Sequence, residues 1–381
     1  MAELMDRFPA ISDLEKRAKR RSPVYSWEYL ASGTGDEASM HRNREGLLKV
    51  ELSPQFLKGV ITPDITTTMF GVEHSAPIGA APIGLSGLIW PGSDQALAAA
   101  AAKHKFPQVL STVATASPEV VKPIAGDYGW FQLYPPKEPT MRDALVDRVA
   151  DLGYQTMVVT ADVPAPSRRE RQRKAQIRVP PKIGPRLVVQ TALHPAWTLA
   201  MLRNGMPGFG TLETYVDSKS LANLAGFVGA SLGGTLSWEY LAAVRERFDG
   251  NIVVKGILDP TDAQRCLDEG VDAVWVSNHG GRQLEAAPAA IDTLAPIVDQ
   301  VAGRAPIFFD SGVRSGADVA RALALGADFV FCGRSFMFGL AALGPPGVAH
   351  AFDILVDGLL NVMHQTGCET IDDLRQRVVT P

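Results

Sequence analysis

From Ala76 onward the chain repeats one unit eight times: a short apolar or β-branched run, a turn, then a stretch with helical spacing. The strand candidates are Ala76–Ala81, Pro107–Leu110, Trp130–Leu133, Thr156–Val159, Ile252–Val254, Ala273–Val276, Ile307–Phe309 and Phe329–Phe331. Helical stretches follow most of them, as at Ser93–Lys105, Met141–Leu152, Asp262–Glu269 and Gly316–Leu325. Alternation of this kind predicts a parallel sheet, and eight units predict a sheet closed on itself, a (β/α)8 barrel of the α/β class. An open, doubly wound sheet is the competing arrangement. It requires a glycine-rich dinucleotide turn after its first strand, and APIGLSG at 81–87 matches that pattern poorly.

The rest of the chain is arranged around that repeat, and 1–381 reads as a single domain. Residues 1–72 form an N-terminal helical segment and connector, with Ile11–Arg20 and Ser26–Leu30 helical. The barrel spans 76–335 and is interrupted by a loop insertion, 163–236, after its fourth strand; 336–381 supplies C-terminal helices. The insertion begins with a basic run, Arg168 to Arg178, and continues through Pro180, Pro181 and Pro185. A loop this long inside a compact domain is usually functional. Within it, Leu187–Leu202 is apolar with few charges. Core packing, a contact between copies and a membrane-surface patch all fit that stretch.

Composition excludes little but directs some choices. A net charge of −4 gives no overall field for nucleic acid. The three cysteines show neither CxxC nor metal spacing, so a reducing compartment and no metal site are expected. The start, MAELMDRF, is not a signal peptide, and no run of 18 apolar residues occurs. A cytoplasmic protein is expected, with peripheral contact on the inner face of the cell membrane, through 177–215, left open.

Polar groups gather where the apolar runs end. In order these are Ala81-Pro82-Ile83-Gly84, Ser111, Gln132 with Tyr134, Thr160 with Asp162, Lys255, His279 with Arg282, Asp310 to Arg314, and Gly333-Arg334. In a closed barrel the site lies at the carboxyl ends of the strands, so these groups converge. The last two ends read as an anion cradle. Gly312 and Gly333 let backbone N–H groups face a phosphate, and Arg314 and Arg334 pair with it. His279 can take a proton, with Asp162 holding the imidazolium. Arg169 and Arg282 can clamp a carboxylate. Lys255 can supply positive charge to a ring that becomes anionic on reduction.

These residues resemble the FMN-dependent L-2-hydroxy acid dehydrogenase and oxidase family, which includes glycolate oxidase, flavin-type lactate dehydrogenase, lactate oxidase and mandelate dehydrogenase. The most specific motif is SNHGGRQL at Ser277–Leu284. Support comes from YLASG at Tyr29–Gly33, WFQLY at Trp130–Tyr134, TADVP at Thr160–Pro164, VKGI at Val254–Ile257 and DSGVRSG at Asp310–Gly316. The resemblance implies FMN as cofactor, a small 2-hydroxy acid as substrate, a quinone or oxygen as electron acceptor, and a homotetramer. It implies His279 as base with Asp162 as partner, Arg169 and Arg282 on the substrate carboxylate, and Tyr29 and Tyr134 bonding the substrate. It further implies a cofactor site made of Ala81, Pro82, Ile83, Gly84, Ser111, Gln132, Thr160, Lys255, Ser277, Asp310, Gly312, Arg314, Gly333 and Arg334.

Two positions depart from the oxidase pattern. Val113 stands where several oxidases have tryptophan, and Gly84 where they often have alanine. Gly84 is similar to the membrane-associated or quinone-linked dehydrogenases, and the LHPAW stretch at Leu193–Trp197 resembles the bacterial lactate dehydrogenase lineage. The expected activity is therefore oxidation of a lactate- or mandelate-like L-2-hydroxy acid by a dehydrogenase, the alternative being an oxidase that makes hydrogen peroxide. A hydride and a carbanion route both remain open, as do a flavin-dependent isomerase and a flavin-binding protein without catalysis.

Overall fold

The computed structural model describes residues 2–175, 177, 184–216, 227–233 and 236–379. Eight parallel strands close into a barrel in chain order, with the last pairing the first. A short antiparallel hairpin, β1 (Thr67–Met69) and β2 (Val72–His74), precedes them. The barrel strands are β3 (Ile78–Ala80), β4 (Gln108–Ser111), β5 (Gly129–Leu133), β6 (Thr156–Thr160), β7 (Asn251–Ile257), β8 (Ala273–Val276), β9 (Ile307–Phe309) and β10 (Phe329–Cys332). Each falls on its predicted run, shifted by a residue or so. The exception is β7, which continues past Val254 to Ile257 through an irregularity in its pairing with β8.

The two-residue period of a strand explains what fills the barrel. One face packs outward under the helices, as Phe131, Met157, Val254, Val274 and Val330 do. The other face points inward, and there Val109, Trp130, Val158, Val253, Trp275 and Phe308 form a separate buried cluster with Phe329 and Phe331. Two residues further along the same strands the sequence turns polar: Ser111, Gln132, Thr160, Lys255, Ser277 and Asp310, all buried. The interior thus has an apolar floor with a polar layer above it, facing the carboxyl ends. The hairpin closes the opposite end, where Phe70 lies 5.7 Å from Trp130 and 6.0 Å from Phe308, centroid to centroid.

The N-terminal segment is helical at Ile11–Arg21, Val24–Ala31 and Ala38–Lys49. The connector that follows makes no strand before β1 apart from a single bridge between Leu52 and Val378. The insertion is not a bare loop. It forms helices at Glu170–Lys174, Pro185–Ala192 and Pro195–Asn204, the last two each starting on the proline that suits a first helical position. Trp197 anchors the pair: it is buried, donates Nε1–H to the Ile89 carbonyl at 3.0 Å and meets the Tyr25 ring edge-on. Core packing thus accounts for one side of Leu187–Leu202. The other side exposes Val188, Val189, Leu193, Leu199 and Leu202. Arg178, Pro180 and Pro181, in the basic and proline-bearing run, lie outside the described residues.

Candidate active site

The carboxyl ends of the strands surround a cavity of about 610 Å³. Most of the residues singled out in the sequence line it. Ser111, Gln132, Asp162 and Ser277 stand behind its wall, bonded to residues of the same layer.

The wall is two hydrogen-bonded relays. Ser111 Oγ donates to Gln132 Oε1 at 2.8 Å, and Gln132 Nε2 donates to Thr160 Oγ1 at 2.9 Å. Lys255 Nζ donates to Ser277 Oγ at 2.8 Å, and Ser277 Oγ donates to Asp310 Oδ1 at 2.6 Å. Lys255 also lies 3.2 Å from Asp310 Oδ2, so its buried charge is paired.

His279 follows β8 with φ 59°, and Gly280 and Gly281 continue in the left-handed region at 65° and 74°. That turn reverses the chain and aims the imidazole across the mouth. Its Nδ1 lies 2.9 Å from Asp162 Oδ1, and its Nε2 lies 3.4 Å from the Tyr134 hydroxyl. Burial lowers the His279 pKa and outweighs the opposing Asp162 carboxylate; Lys255 and Arg169 push the same way as burial. Burial works against the Asp162 carboxylate too, but the His279 ring beside it, hydrogen-bonded to it, and the Lys255 charge outweigh burial and hold its pKa below the usual range. Burial raises the Tyr134 phenol, so it stays a hydrogen-bonding O–H at neutral pH. The pair is thus a neutral imidazole held by an ionised carboxylate, a combination suited to accepting a proton.

Two guanidiniums flank it. Arg169 bonds Ser167 Oγ and Gln283 Oε1 at 2.8 and 3.2 Å. Arg282 donates to the Tyr29 carbonyl at 2.9 Å and to those of Leu30 and Ser32, where the helix Val24–Ala31 ends. Burial and the neighbouring Arg169 push Arg282 down to about 10. No ion pair among the described residues involves Arg169 or Arg282. Two like charges at one cavity, short of anions, favour an anionic ligand. The Tyr29 hydroxyl donates to the Gly84 carbonyl at 2.8 Å.

At the far end Gly312 has φ 93°, and Gly333 precedes the helix Arg334–Leu343 with open space where a Cβ would stand. Arg314 is half-buried, and burial lowers its pKa; among the described residues its side chain bonds only its own neighbour's carbonyl, Val313 O at 2.8 Å. Arg334 bonds the carbonyls of Gly280, Leu30 and Ser32, and burial pushes its pKa far down. Half-buried cations that make no ion pair among the described residues, beside an accessible glycine at a helix start, fit a phosphate. The residues present fit FMN.

The sequence reading missed several groups that hold this arrangement. Asn278 and Asn43 bond each other through both side-chain amides at 2.7 and 2.8 Å, and Asn278 Oδ1 also accepts from the Gly281 backbone. Asn43 lies in a charged helix with no local signal. Gly33, the last residue of YLASG, must be bare for the same turn to pack: a Cβ there would lie 2.9 Å from the Gly281 carbonyl. Val228 and Leu232 line the cavity from the insertion and pack with Val113 and Leu85.

A barrel with an anion cradle at its last strands and a base between two guanidiniums defines a class of cofactor-dependent enzymes. The chain belongs to the FMN-dependent dehydrogenase family, whose sequence profile matches residues 18–381. It is an FMN-dependent oxidoreductase. An L-lactate dehydrogenase of Xanthobacter autotrophicus is 37% identical over 365 residues, covering 95% of this chain and 94% of that protein. The crystal structure of the monotopic membrane protein (S)-mandelate dehydrogenase is 34% identical, with a TM-score of 0.92 over 98% of this chain and 99% of that one. A lactate oxidase of Pediococcus acidilactici is 29% identical, with a TM-score of 0.83 over 97% of this chain and 94% of that one.

Proposed function

We propose that this enzyme oxidises an L-2-hydroxy acid to the 2-keto acid. The observation that carries the reading is the His279–Asp162 pair at 2.9 Å, set between Arg169 and Arg282. The two arginines bind the substrate carboxylate and fix the molecule's orientation. Tyr29 and Tyr134 bond the substrate's oxygens. His279 Nε2, bonded by Tyr134, takes a proton from the hydroxyl or the α-carbon, and Asp162 steadies the imidazolium at Nδ1. FMN, when bound, accepts the two electrons. The Ala81–Gly84 backbone, Ser111, Gln132, Thr160, Lys255, Ser277 and Asp310 would hold its ring and ribityl chain, and Gly312, Arg314, Gly333 and Arg334 its phosphate.

The apolar side of the cavity, Val113 with Val228 and Leu232, suits a side chain larger than methyl, such as the phenyl group of mandelate. The resemblance of Gly84 to the quinone-linked dehydrogenases supports a dehydrogenase passing electrons to a quinone, and the glycine is matched to Val113, since a methyl at 84 would lie 2.6 Å from Val113 Cγ2. Exposed Val188, Val189, Leu193, Leu199, Leu202 and Met206 support peripheral membrane contact on the cytoplasmic side, where a quinone is at hand. No helix among the described residues is long and apolar enough to cross a membrane. Family resemblance adds a homotetramer.

A panel of hydroxy acids tests this directly, with quinone reduction compared against oxygen uptake. Expected is a higher kcat/KM for mandelate than for lactate, and quinone reduction far exceeding oxygen uptake. Stoichiometric hydrogen peroxide at a matching rate would establish the oxidase instead.

A further inference from the structure

Asp162 comes from the end of β6 and must meet a histidine carried by the loop after β8, with β7 between them. The strand between carries a feature that the catalytic reading leaves unexplained. Gly256, next to Lys255, has φ 104°, and there the register slips: Lys255 pairs with Trp275, yet Ile257 pairs with the very next residue, Val276. One residue on β7 is therefore extra, a bulge. Its missing side chain faces Asp162. A Cβ at residue 256 would lie 2.6 Å from Asp162 Cβ, 2.7 Å from its Cγ and 2.9 Å from its backbone nitrogen. No real Cβ tolerates those distances, and Asp162, at the start of a loop, is freer to shift than the core of β7.

We infer that Gly256 is a positioning residue for the reaction. The bulge clears the space in which the Asp162 carboxylate reaches His279, while leaving Lys255 turned to Ser277 and Asp310. The inference rests on His279 acting as the base. The groups facing His279 are Asp162 from the end of β6, Lys255 on β7, Tyr134 beyond β5 and Arg169 from the insertion. Asp162 alone among them favours the imidazolium. Displacing its carboxylate removes that support and leaves the cations in place.

The test uses FMN-loaded Gly256→Ala, Asp162→Gly and the double variant, each assayed across pH with the best hydroxy acid. In Gly256→Ala, kcat falls about a hundredfold, the scale of an ångström's misplacement at a reacting group. The acidic limb of kcat/KM moves to lower pH by about one unit, because the imidazolium has lost its carboxylate. Asp162→Gly removes the carboxylate and the two closest colliding atoms, Cβ and Cγ, leaving only the residue-162 nitrogen at 2.9 Å, so adding Gly256→Ala to it changes kcat less than about threefold. A full hundredfold loss in that background, or an unmoved acidic limb, would overturn the inference. If Gly256→Ala alone fails to fold with FMN but the double variant loads it, the collision with Asp162 stands. If both fail, Gly256 serves the strand and the inference is wrong. Should wild type itself not oxidise a hydroxy acid, the base reading fails first, and that result is separate from these.

Discussion

His279 occupies a backbone conformation that disfavours ordinary side chains, with φ 59°. The glycines after it continue the reversal, and the Asn278–Asn43 amide pair fixes its base. Together they trade local strain for a fixed imidazole. Burial depresses its pKa, so the neutral imidazole persists below the ordinary histidine range. The predicted pH profile follows. kcat/KM holds its plateau down past pH 6.5, the unperturbed histidine value, roughly, and falls only as His279 protonates below it. A limb centred above pH 7 would mean that Asp162 dominates over burial. At the substrate's other end, Val113→Trp fills the space beside Val228 and Leu232. We predict that it lowers kcat/KM for mandelate at least about tenfold while lactate loses far less, the discrimination expected of a reshaped apolar pocket.

Among the elements, the hairpin β1–β2 closes the barrel floor with a buried histidine. His74 sits between the rings of Tyr128 and Phe329, 5.5 and 5.3 Å away, with neither ring nitrogen bonded. Burial pushes its pKa down to about 4. As pH falls from the unfolded value near 6.5, the unfolded chain takes up a proton that the native state refuses. Stability present above that value is therefore lost towards pH 4, by up to about 3 kcal/mol. His74→Phe should flatten the fall in Tm between pH 7 and 5, and an unchanged slope would count against this account. The barrel was legible because each strand obeys the two-residue period, with Val109, Trp130, Val158 and Trp275 each followed two places on by a polar residue. The insertion was less legible. Its prolines read as loop, whereas Pro185 and Pro195 open helices, and Trp197 finds its partners Ile89 and Tyr25 more than a hundred residues away in sequence. Asn43 gave no local signal, and Gly256, although part of VKGI, gave none for its contact with Asp162, for the same reason: what each one touches is set by the closure of the barrel.

Over the whole molecule, the helix Val24–Ala31 ties the two ends of the site together. Its last carbonyls accept from Arg282 and Arg334, and it carries Tyr29 on the same turn. The N-terminal segment is thus part of the site, although it lies outside the barrel. On the outer side, Trp197 holds two helices whose free faces are apolar. Replacing Leu193, Leu199 and Leu202 with Gln should abolish co-flotation with vesicles of anionic and neutral phospholipid and leave dichlorophenolindophenol reduction by the soluble enzyme intact. Retained flotation, or a wild type that does not float, would contradict the proposed contact through this patch. We propose that His279, steadied by Asp162 between two arginines, takes the substrate's proton as its two electrons pass to FMN. The most direct measurement of this is anaerobic absorbance at the flavin band after adding (S)-mandelate to the FMN-loaded enzyme. The account predicts rapid bleaching in wild type and, in His279→Ala with FMN still bound, bleaching slowed at least about a thousandfold. Wild-type flavin that stays oxidised with every L-2-hydroxy acid, or a His279→Ala variant that bleaches as fast as wild type, would contradict it.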